Sequence, residues 1–305
     1  MNEALLGPLC AFAASITWSI GSSAYSHLSR TYAPGVVNFN RALVALPFFL
    51  LFIVLDFSGV RANIDALGPA LSTHALWLTL SITSAYVIGD GLFMWSALSL
   101  GFPSAQAVGA IYPVWAAFAG WAFNAQAVSG GQAAGIALAV LGVIWVVIAG
   151  RGDTLRAVPD HLGFLRVKSV GVLFGVAASI MWAMNAFATS KGGAGIHFAL
   201  ANAFRLVLAL SLCPVAARVQ GARRMLFALS DYRRFGAIIA FEAVVGACVF
   251  LYGMSHSPVA VGATLSSLAP VLAVPIAVVL GWERFSVAKS LAVLLVVAGV
   301  ALLVR

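Results

Sequence analysis

Long runs of apolar residues, separated by short polar connections, follow one another along the whole chain. Each run has about 20 residues, the length that an α-helix needs to cross the hydrocarbon core of a bilayer. A membrane β-barrel would instead alternate polar and apolar residues in runs of about ten, and the sequence does not show that alternation. The pattern predicts an all-α integral membrane protein with ten transmembrane helices. The predicted helices cover residues 5–25, 34–55, 75–97, 103–123, 130–149, 169–189, 196–217, 235–253, 258–280 and 286–304.

The composition supports this interpretation and narrows the chemistry. Of the 305 residues, 62% are hydrophobic and 9% are charged, and the mean hydropathy is +1.04, whereas a soluble domain needs more charge to cover its surface. The three cysteines lie in apolar runs and the five histidines are scattered, so neither a disulfide framework nor a metal centre is expected. The HExxH, Walker, GxSxG and GxGxxG patterns are missing from the sequence. We therefore expect no cofactor, no metal and no enzyme activity.

The chain contains an internal duplication with two spacings. Pairs that lie 164 residues apart include the segments 14–20 ("ASITWSI") and 178–184 ("ASIMWAM"), Asn38 and Asn202, and Arg41 and Arg205. Pairs that lie 157 residues apart include Trp95 and Tyr252, and Pro113 and Pro270. A net deletion of seven residues (164 − 157) in one polar connection reconciles the two spacings.

Each half of this duplication holds five predicted helices. Because five is an odd number, the second half must enter the membrane from the opposite side, which makes an inverted repeat. Inverted repeats recur in secondary transporters. We place the two five-helix repeats at residues 1–150 and 165–305.

The repeated residues resemble those of the drug/metabolite transporter superfamily, in particular its EamA-type ten-helix members. The segments that carry the resemblance include Trp18, Trp182, Arg41, Arg205 and residues 95–114, 252–271 and 280–300. One departure is that a Gly-x-Glu motif after the fourth helix of each repeat survives only as Glu283, and the first half has Gln126. The resemblance implies two EamA-like five-helix repeats, with the last helix of each repeat packed against the other. It also implies export of metabolites, amino acids or small drugs from a bacterial inner membrane.

Four ionisable residues fall inside the predicted helices beyond the first turn, namely Arg41, Asp90, Arg205 and Glu242. Each charge near the centre of a bilayer costs on the order of 3 kcal/mol, so we expect a polar interior in which cations and carboxylates face each other or water. The two arginines have two interpretations. They are structural anchors or ion-pair partners near helix ends, or they contact the solute or act as gates, together with Asn38 and Asn202.

The two carboxylates also have two interpretations. Asp90 lies near the middle of its predicted helix between Gly89 and Gly91, and Glu242 lies about a third of the way into its helix. Burial disfavours an ionised carboxylate, so proton binding at Asp90 or Glu242 is one possibility. Ion pairing with the arginines is the other.

Aromatic residues and prolines complete the candidate site. The aromatic candidates for lining a solute cavity are Trp18, Trp95, Tyr112, Trp182 and Tyr252, for which ordinary helix packing is the alternative. Pro113, Pro270 and Pro275 interrupt the fourth and ninth predicted helices. Interrupted helices in equivalent positions of two repeats mark a transport path, whereas a simple kink is the alternative.

These features predict a secondary transporter, most simply an exporter, that moves a small organic solute by alternating access. Protons are the simplest energy source, acting through Asp90 or Glu242. A passive facilitator with structural ion pairs is the alternative, and a lipid-handling membrane protein or enzyme is a further one. The expected partners are a small-molecule solute and the lipid bilayer, with no nucleic acid, and the chain is expected to be a monomer or a homodimer.

Overall fold

A computed structural model describes residues 3–29, 31–100, 105, 108–149, 167–269, 271–272 and 287–303 of the chain. The regular elements of these residues are helices. In the first half they are α1 (Glu3–Leu28), α2 (Pro34–Leu55), α3 (Phe57–Leu67), α4 (Ala70–Ile82), α5 (Asp90–Leu100), α6 (Tyr112–Asn124) and α7 (Gly130–Ala149). In the second half they are α8 (Lys168–Gly193), α9 (Phe198–Val219), α10 (Leu229–Phe241), α11 (Ala247–Ser255), α12 (Val259–Ser266) and α13 (Val287–Leu303).

Five helical stretches among the described residues are long and apolar enough to cross a membrane. They are Pro34–Leu55, Ala70–Leu100, Lys168–Gly193, Phe198–Val219 and Leu229–Ser255. Two shorter apolar helices cover Leu5–Gly21 and Gly130–Trp145. The chain is therefore an integral membrane protein that crosses the bilayer several times, while the count of ten crossings stays a prediction.

The helix bounds follow the hydrophobic pattern closely where the pattern is strong. Helices α2 and α7 begin and end at the predicted residues. Residues 56–74, taken from the sequence as a polar connection, instead contain α3. The Asp56 side chain caps this helix by accepting a hydrogen bond from Gly59 N at 3.2 Å, and Val60 is its buried residue. A short, mostly exposed helix of this kind gives no transmembrane signal.

Two of the long helical stretches contain a π-helical segment that the sequence did not predict. These segments are Thr83–Gly89, between α4 and α5, and Glu242–Gly246, between α10 and α11. Both end on a glycine, and Gly89 and Gly246 are 157 residues apart, the spacing of the duplication. Glu242 opens one segment and Asp90 directly follows the other, so both candidate carboxylates lie at π-helical turns, which are frequent at functional sites.

The helices form two compact units, each built from both halves of the sequence. Unit 1 comprises Met1–Ile88 and Met184–Ser257, and unit 2 comprises Gly89–Ala183 and Pro258–Arg305. The proposed repeat boundaries at 1–150 and 165–305 therefore do not coincide with the units of packing. Helices from the two halves interleave within each unit.

In unit 1, helices α2 and α9 pack against each other in antiparallel directions. A Cβ added at Gly35, near the start of α2, would lie 2.6 Å from Ala217 N, near the end of α9. At the opposite ends, the rings of Phe52 and Phe198 are 5.8 Å apart. Alanines dominate the interface and allow close approach of the backbones. This interface includes Ala42, Ala45, Phe49, Ala199, Ala203, Leu206 and Ala209. Because the two helices hold equivalent places in the duplication, their antiparallel packing agrees with an inverted repeat.

In unit 2, α7 and α13 pack closely, as the resemblance implied for the last helix of each repeat. A Cβ at Gly299 would lie 2.7 Å from Ala139 N and 2.7 Å from Gly135 O, so glycine allows the two backbones to meet. The first part of α8 packs against α5, where a Cβ at Gly175 would lie 2.8 Å from Ser96 Oγ.

Of the three prolines predicted to interrupt helices, Pro113 lies among the described residues. Pro113 lies in the first turn of α6, after a turn at residues 110–111, where its missing N–H leaves no broken hydrogen bond. Pro270 and Pro275 lie outside the described residues.

Candidate functional site

The interior of unit 1 contains a buried ion pair between Arg41 and Glu242. Arg41 Nη2 lies 2.8 Å from Glu242 Oε1, and the two side chains are 12% and 1% exposed. Arg41 Nη1 also donates to Asn38 Oδ1 at 2.8 Å, one helical turn earlier on α2. The sequence had offered a partner role for each of these residues, and the structure pairs them with one another.

Two tyrosines complete the surroundings of this ion pair. The guanidinium carbon of Arg41 lies 4.6 Å from the ring centre of Tyr25 and 4.5 Å from that of Tyr86, distances typical of cation–π contacts. The Tyr25 hydroxyl donates to Glu242 Oε2, so both carboxylate oxygens of Glu242 are engaged. Gly21 makes room for this arrangement, because a Cβ there would lie 2.7 Å from Glu242 Cγ. Neither tyrosine was among the candidates predicted from the sequence.

Arg205 has different surroundings in the same unit. Its side chain donates to Asn202 Oδ1 at 3.3 Å and to Asn185 Oδ1 at 3.4 Å, and Arg205 is 6% exposed. Among the described residues its Nε has no hydrogen-bond partner, and no carboxylate oxygen lies within 4.0 Å of the guanidinium. Arg205 is thus a buried cation that contacts neutral oxygens.

The neutral groups around Arg205 converge on one oxygen atom. Asn185 Oδ1 accepts hydrogen bonds from Ser81 Oγ at 2.8 Å and from Thr189 Oγ1 at 3.3 Å, in addition to that from Arg205. We call these residues and Asn202 the Arg205 cluster: Ser81, Asn185, Thr189, Asn202 and Arg205. Ser81, Asn185 and Thr189 were not among the residues predicted from the sequence. The sequence does contain a signal for two of them, because Asn185 and Thr189 lie four residues apart, on one face of an otherwise apolar helix.

In unit 2, Asp90 lies beside the repeated tryptophan of the second half. Trp182 Nε1 donates to Asp90 Oδ1 at 3.0 Å, and the Trp182 ring contacts those of Phe93 at 5.2 Å and Tyr112 at 6.5 Å. The Tyr112 hydroxyl bonds Ser266 Oγ at 2.7 Å. The structure therefore brings together three predicted site residues, Asp90, Tyr112 and Trp182.

The two halves of the duplication share one tryptophan–phenylalanine contact, but the second of these contacts also includes the carboxylate of Asp90. In unit 1, Trp18 contacts Phe250 at 5.1 Å, as Trp182 contacts Phe93 at 5.2 Å in unit 2. Phe93 and Phe250 are 157 residues apart, so both members of the contact are duplicated. The residue equivalent to Asp90 is Ala247, and the carboxylate is therefore specific to unit 2.

The remaining two aromatic candidates make packing contacts. The ring of Trp95 lies 5.3 Å from that of Phe174. Tyr252 stacks on His256 at 4.0 Å and is 37% exposed. Of the four ionisable candidates, Arg41, Arg205 and Glu242 lie in unit 1 and Asp90 lies in unit 2.

Comparisons with known proteins give a family and a fold. The model of the EamA-like transporter family matches residues 5–148 and again 169–305. A search of curated proteins finds no significant match. Twenty-five chains of solved structures match significantly. One, described as "Crystal structure of protein", has 16% sequence identity and a TM-score of 0.71, and the match covers 97% of this chain and 95% of that chain. At this identity the likeness concerns the fold alone.

Proposed function

Since this chain belongs to the EamA-like transporter family, a family of membrane transporters, we propose that it is a secondary transporter that exports a small organic solute by alternating access. Metabolites, amino acids and small drugs are the solute classes. The bacterial inner membrane is the proposed location. The proposed solute-binding residues are those predicted from the sequence, with the Arg205 cluster added.

One observation carries this proposal beyond the family match. Helices apolar enough to cross a membrane place Arg41, Arg205 and Glu242 inside unit 1, where Arg205 and Glu242 are buried and the Arg41 side chain is 12% exposed. Charges in such segments are costly and commonly mark solute or ion pathways. A purely structural helix bundle could replace them with leucine.

The two carboxylates have different described contacts. Glu242 is held by Arg41 and Tyr25 in unit 1. Asp90 accepts a hydrogen bond from the indole of Trp182 and is half-buried. We propose that proton coupling acts through Asp90 or Glu242, and the two are separated by changing each carboxylate in turn.

Transport by proteoliposomes that contain the full chain tests the proposal. Counterflow of radiolabelled amino acids, screened one at a time, should identify at least one transported solute, and an imposed pH gradient should drive its accumulation. Either Asp90→Asn or Glu242→Gln, tested separately, should abolish the response to the gradient. Asp65→Asn is the matched control, because it removes an exposed carboxylate on α3 that pairs with Arg61 over 3.9 Å. The screen is then extended to labelled metabolites and small drugs. Counterflow no faster than in liposomes without protein, for every labelled solute tested, would contradict the proposal.

A passive facilitator is the second candidate, and the Arg41–Glu242 pair favours it. A neutralised ion pair with both carboxylate oxygens engaged suits a structural role. Counterflow that ignores the pH gradient and persists in Asp90→Asn and in folded Glu242→Gln would select the facilitator.

A further inference from the structure

Among the described residues, the polar interior of unit 1 contains one more positive than negative charge. Arg41 and Glu242 neutralise each other across 2.8 Å, and the second carboxylate oxygen of Glu242 is taken by Tyr25. Arg205 adds a second buried cation. No described carboxylate compensates Arg205.

The hydrogen bonds of Arg205 are also incomplete. Its two contacts are long, at 3.3 Å and 3.4 Å, and both go to amide oxygens. Arginine carries five N–H donors in a planar fork that matches a carboxylate in two-point contact, and charge-assisted bonds of that kind are shorter. Its buried Nε has no acceptor among the described residues. The guanidinium is thus arranged for an acceptor that the described chain does not provide.

The other side chains of the cluster use most of their donors within it. The hydroxyls of Ser81 and Thr189 lie 2.8 Å from one another, and both donate to Asn185 Oδ1. That oxygen faces Arg205, so the amide nitrogen of Asn185 is directed elsewhere and donates to no described residue. Among the described residues, the donors of the cluster that stay unengaged therefore include Arg205 Nε and the Asn185 amide, beside a positive charge that no described carboxylate compensates.

We propose that the Arg205 cluster binds the carboxylate group of the transported solute. The inference rests on the proposed transport function and narrows the solute to organic acids and amino acids. A monovalent organic acid brings the charge of the described unit 1 interior to zero, whereas a phosphate dianion would reverse its sign. The carboxylate of a zwitterionic amino acid compensates Arg205 locally, while its ammonium group needs its own partner. Because Arg205 is 6% exposed, the carboxylate enters as the transport cycle opens the neighbouring helices.

Thermal unfolding of the purified full chain in detergent tests the site without a transport assay. Chloride is replaced stepwise by benzoate at constant sodium concentration, and benzamide is added to the chloride buffer as the neutral analogue. We expect benzoate to raise the unfolding midpoint by at least about 2 °C and benzamide to leave it unchanged. Equal midpoints in chloride and benzoate would overturn the assignment to a carboxylate.

Two variants in the cluster and one outside it test whether the benzoate-dependent rise in the unfolding midpoint comes from the Arg205 cluster. Arg205→Gln should weaken benzoate binding at least about tenfold, because it removes the cation and its donors. Asn185→Asp provides a carboxylate within the chain, so it should raise the midpoint in chloride and abolish the response to benzoate. Arg223→Gln removes an exposed arginine and should keep the full response. An unchanged benzoate response in both Arg205→Gln and Asn185→Asp would overturn the proposal.

Counterflow separates failure of this inference from failure of the transport proposal. If every transported solute lacks a carboxylate group, the transporter stands and the carboxylate site falls. If benzoate stabilises the protein through Arg205 but no solute moves, the carboxylate site stands and the transport proposal falls.

Discussion

The motif Asn-x-x-Arg occurs twice in this chain, and its two copies have different surroundings. Arg41 forms a 2.8 Å ion pair with Glu242 and lies over two tyrosine rings. Arg205 lies at the equivalent place on α9, bonds two asparagine oxygens over longer distances and has no described carboxylate within 4.0 Å. The same local sequence therefore produces a compensated cation in one copy and an uncompensated cation in the other.

The duplication explains where the difference arises. The residues equivalent to Glu242 and Tyr25, at spacings of 157 and 164, are Ala85 and Thr189. Ala85 is buried and Thr189 belongs to the Arg205 cluster. Two positions outside the repeated motif have thus diverged, and they determine what each arginine contacts. A duplicated residue is weak evidence for a duplicated role.

The largest effect is expected for Glu242→Gln, which leaves Arg41 buried without its carboxylate. We expect a loss of about 3–5 kcal/mol in the free energy of unfolding. Reversible unfolding in mixed detergent micelles measures it. The double variant Arg41→Met/Glu242→Leu should lose much less than the sum of the two single variants, because it removes both charges together. Additive losses would show that the two residues do not interact.

Tyr25→Phe should give the next largest effect. The ring over Arg41 is kept, but Glu242 loses a hydrogen bond from the hydroxyl, which is worth about 1.5–3 kcal/mol for a charged acceptor. The same unfolding assay measures it, with Tyr252→Phe as the control on an exposed ring. A loss no larger than that of the control would mean that the hydroxyl contributes nothing to holding Glu242.

The repeated tryptophans extend the comparison to unit 2. Trp182→Phe and Trp18→Phe each replace an indole that packs on a phenylalanine with a smaller ring. Of the two tryptophans, it is Trp182 that donates a hydrogen bond to Asp90. We expect Trp182→Phe to lose about 1 kcal/mol more than Trp18→Phe. If proton coupling acts through Asp90, Trp182→Phe and not Trp18→Phe should change the response of proteoliposomes to a pH gradient. Identical behaviour of the two variants would argue against coupling through Asp90.

The smallest effect is expected for the asparagines of the motif. Asn38 bonds Arg41 at 2.8 Å and the Tyr86 carbonyl at 3.0 Å, whereas the two bonds of Asn202 are longer, to Arg205 at 3.3 Å and to the Phe198 carbonyl of its own helix at 3.1 Å. Asn38→Ala should therefore lose about 0.5 kcal/mol more than Asn202→Ala in the free energy of unfolding. A larger loss for Asn202→Ala would reverse the ranking of the two sites.

The sequence predicted the helices well because their hydrophobic pattern is local. The bounds of α2 were predicted to the residue, and the spacing of the duplication located both arginines. The partners of those arginines depend on tertiary packing, which no local pattern specifies. Tyr25 and Tyr86 looked like ordinary aromatic residues, and the pairing of Glu242 with Arg41 joins positions 201 residues apart. The π-helical segments were missed for the same reason, because nothing in "TSAYVIG" departs from a helical pattern.

The most direct test of the account compares Arg41→Gln with Arg205→Gln in the same unfolding assay, in chloride buffer without added solute. Arg41→Gln should lose about 3–5 kcal/mol, because it leaves Glu242 charged and buried. Arg205→Gln should change the free energy of unfolding by less than about 1 kcal/mol, or increase it, because it removes a buried charge that has no carboxylate partner among the described residues. Equal large losses in the two variants would contradict the account.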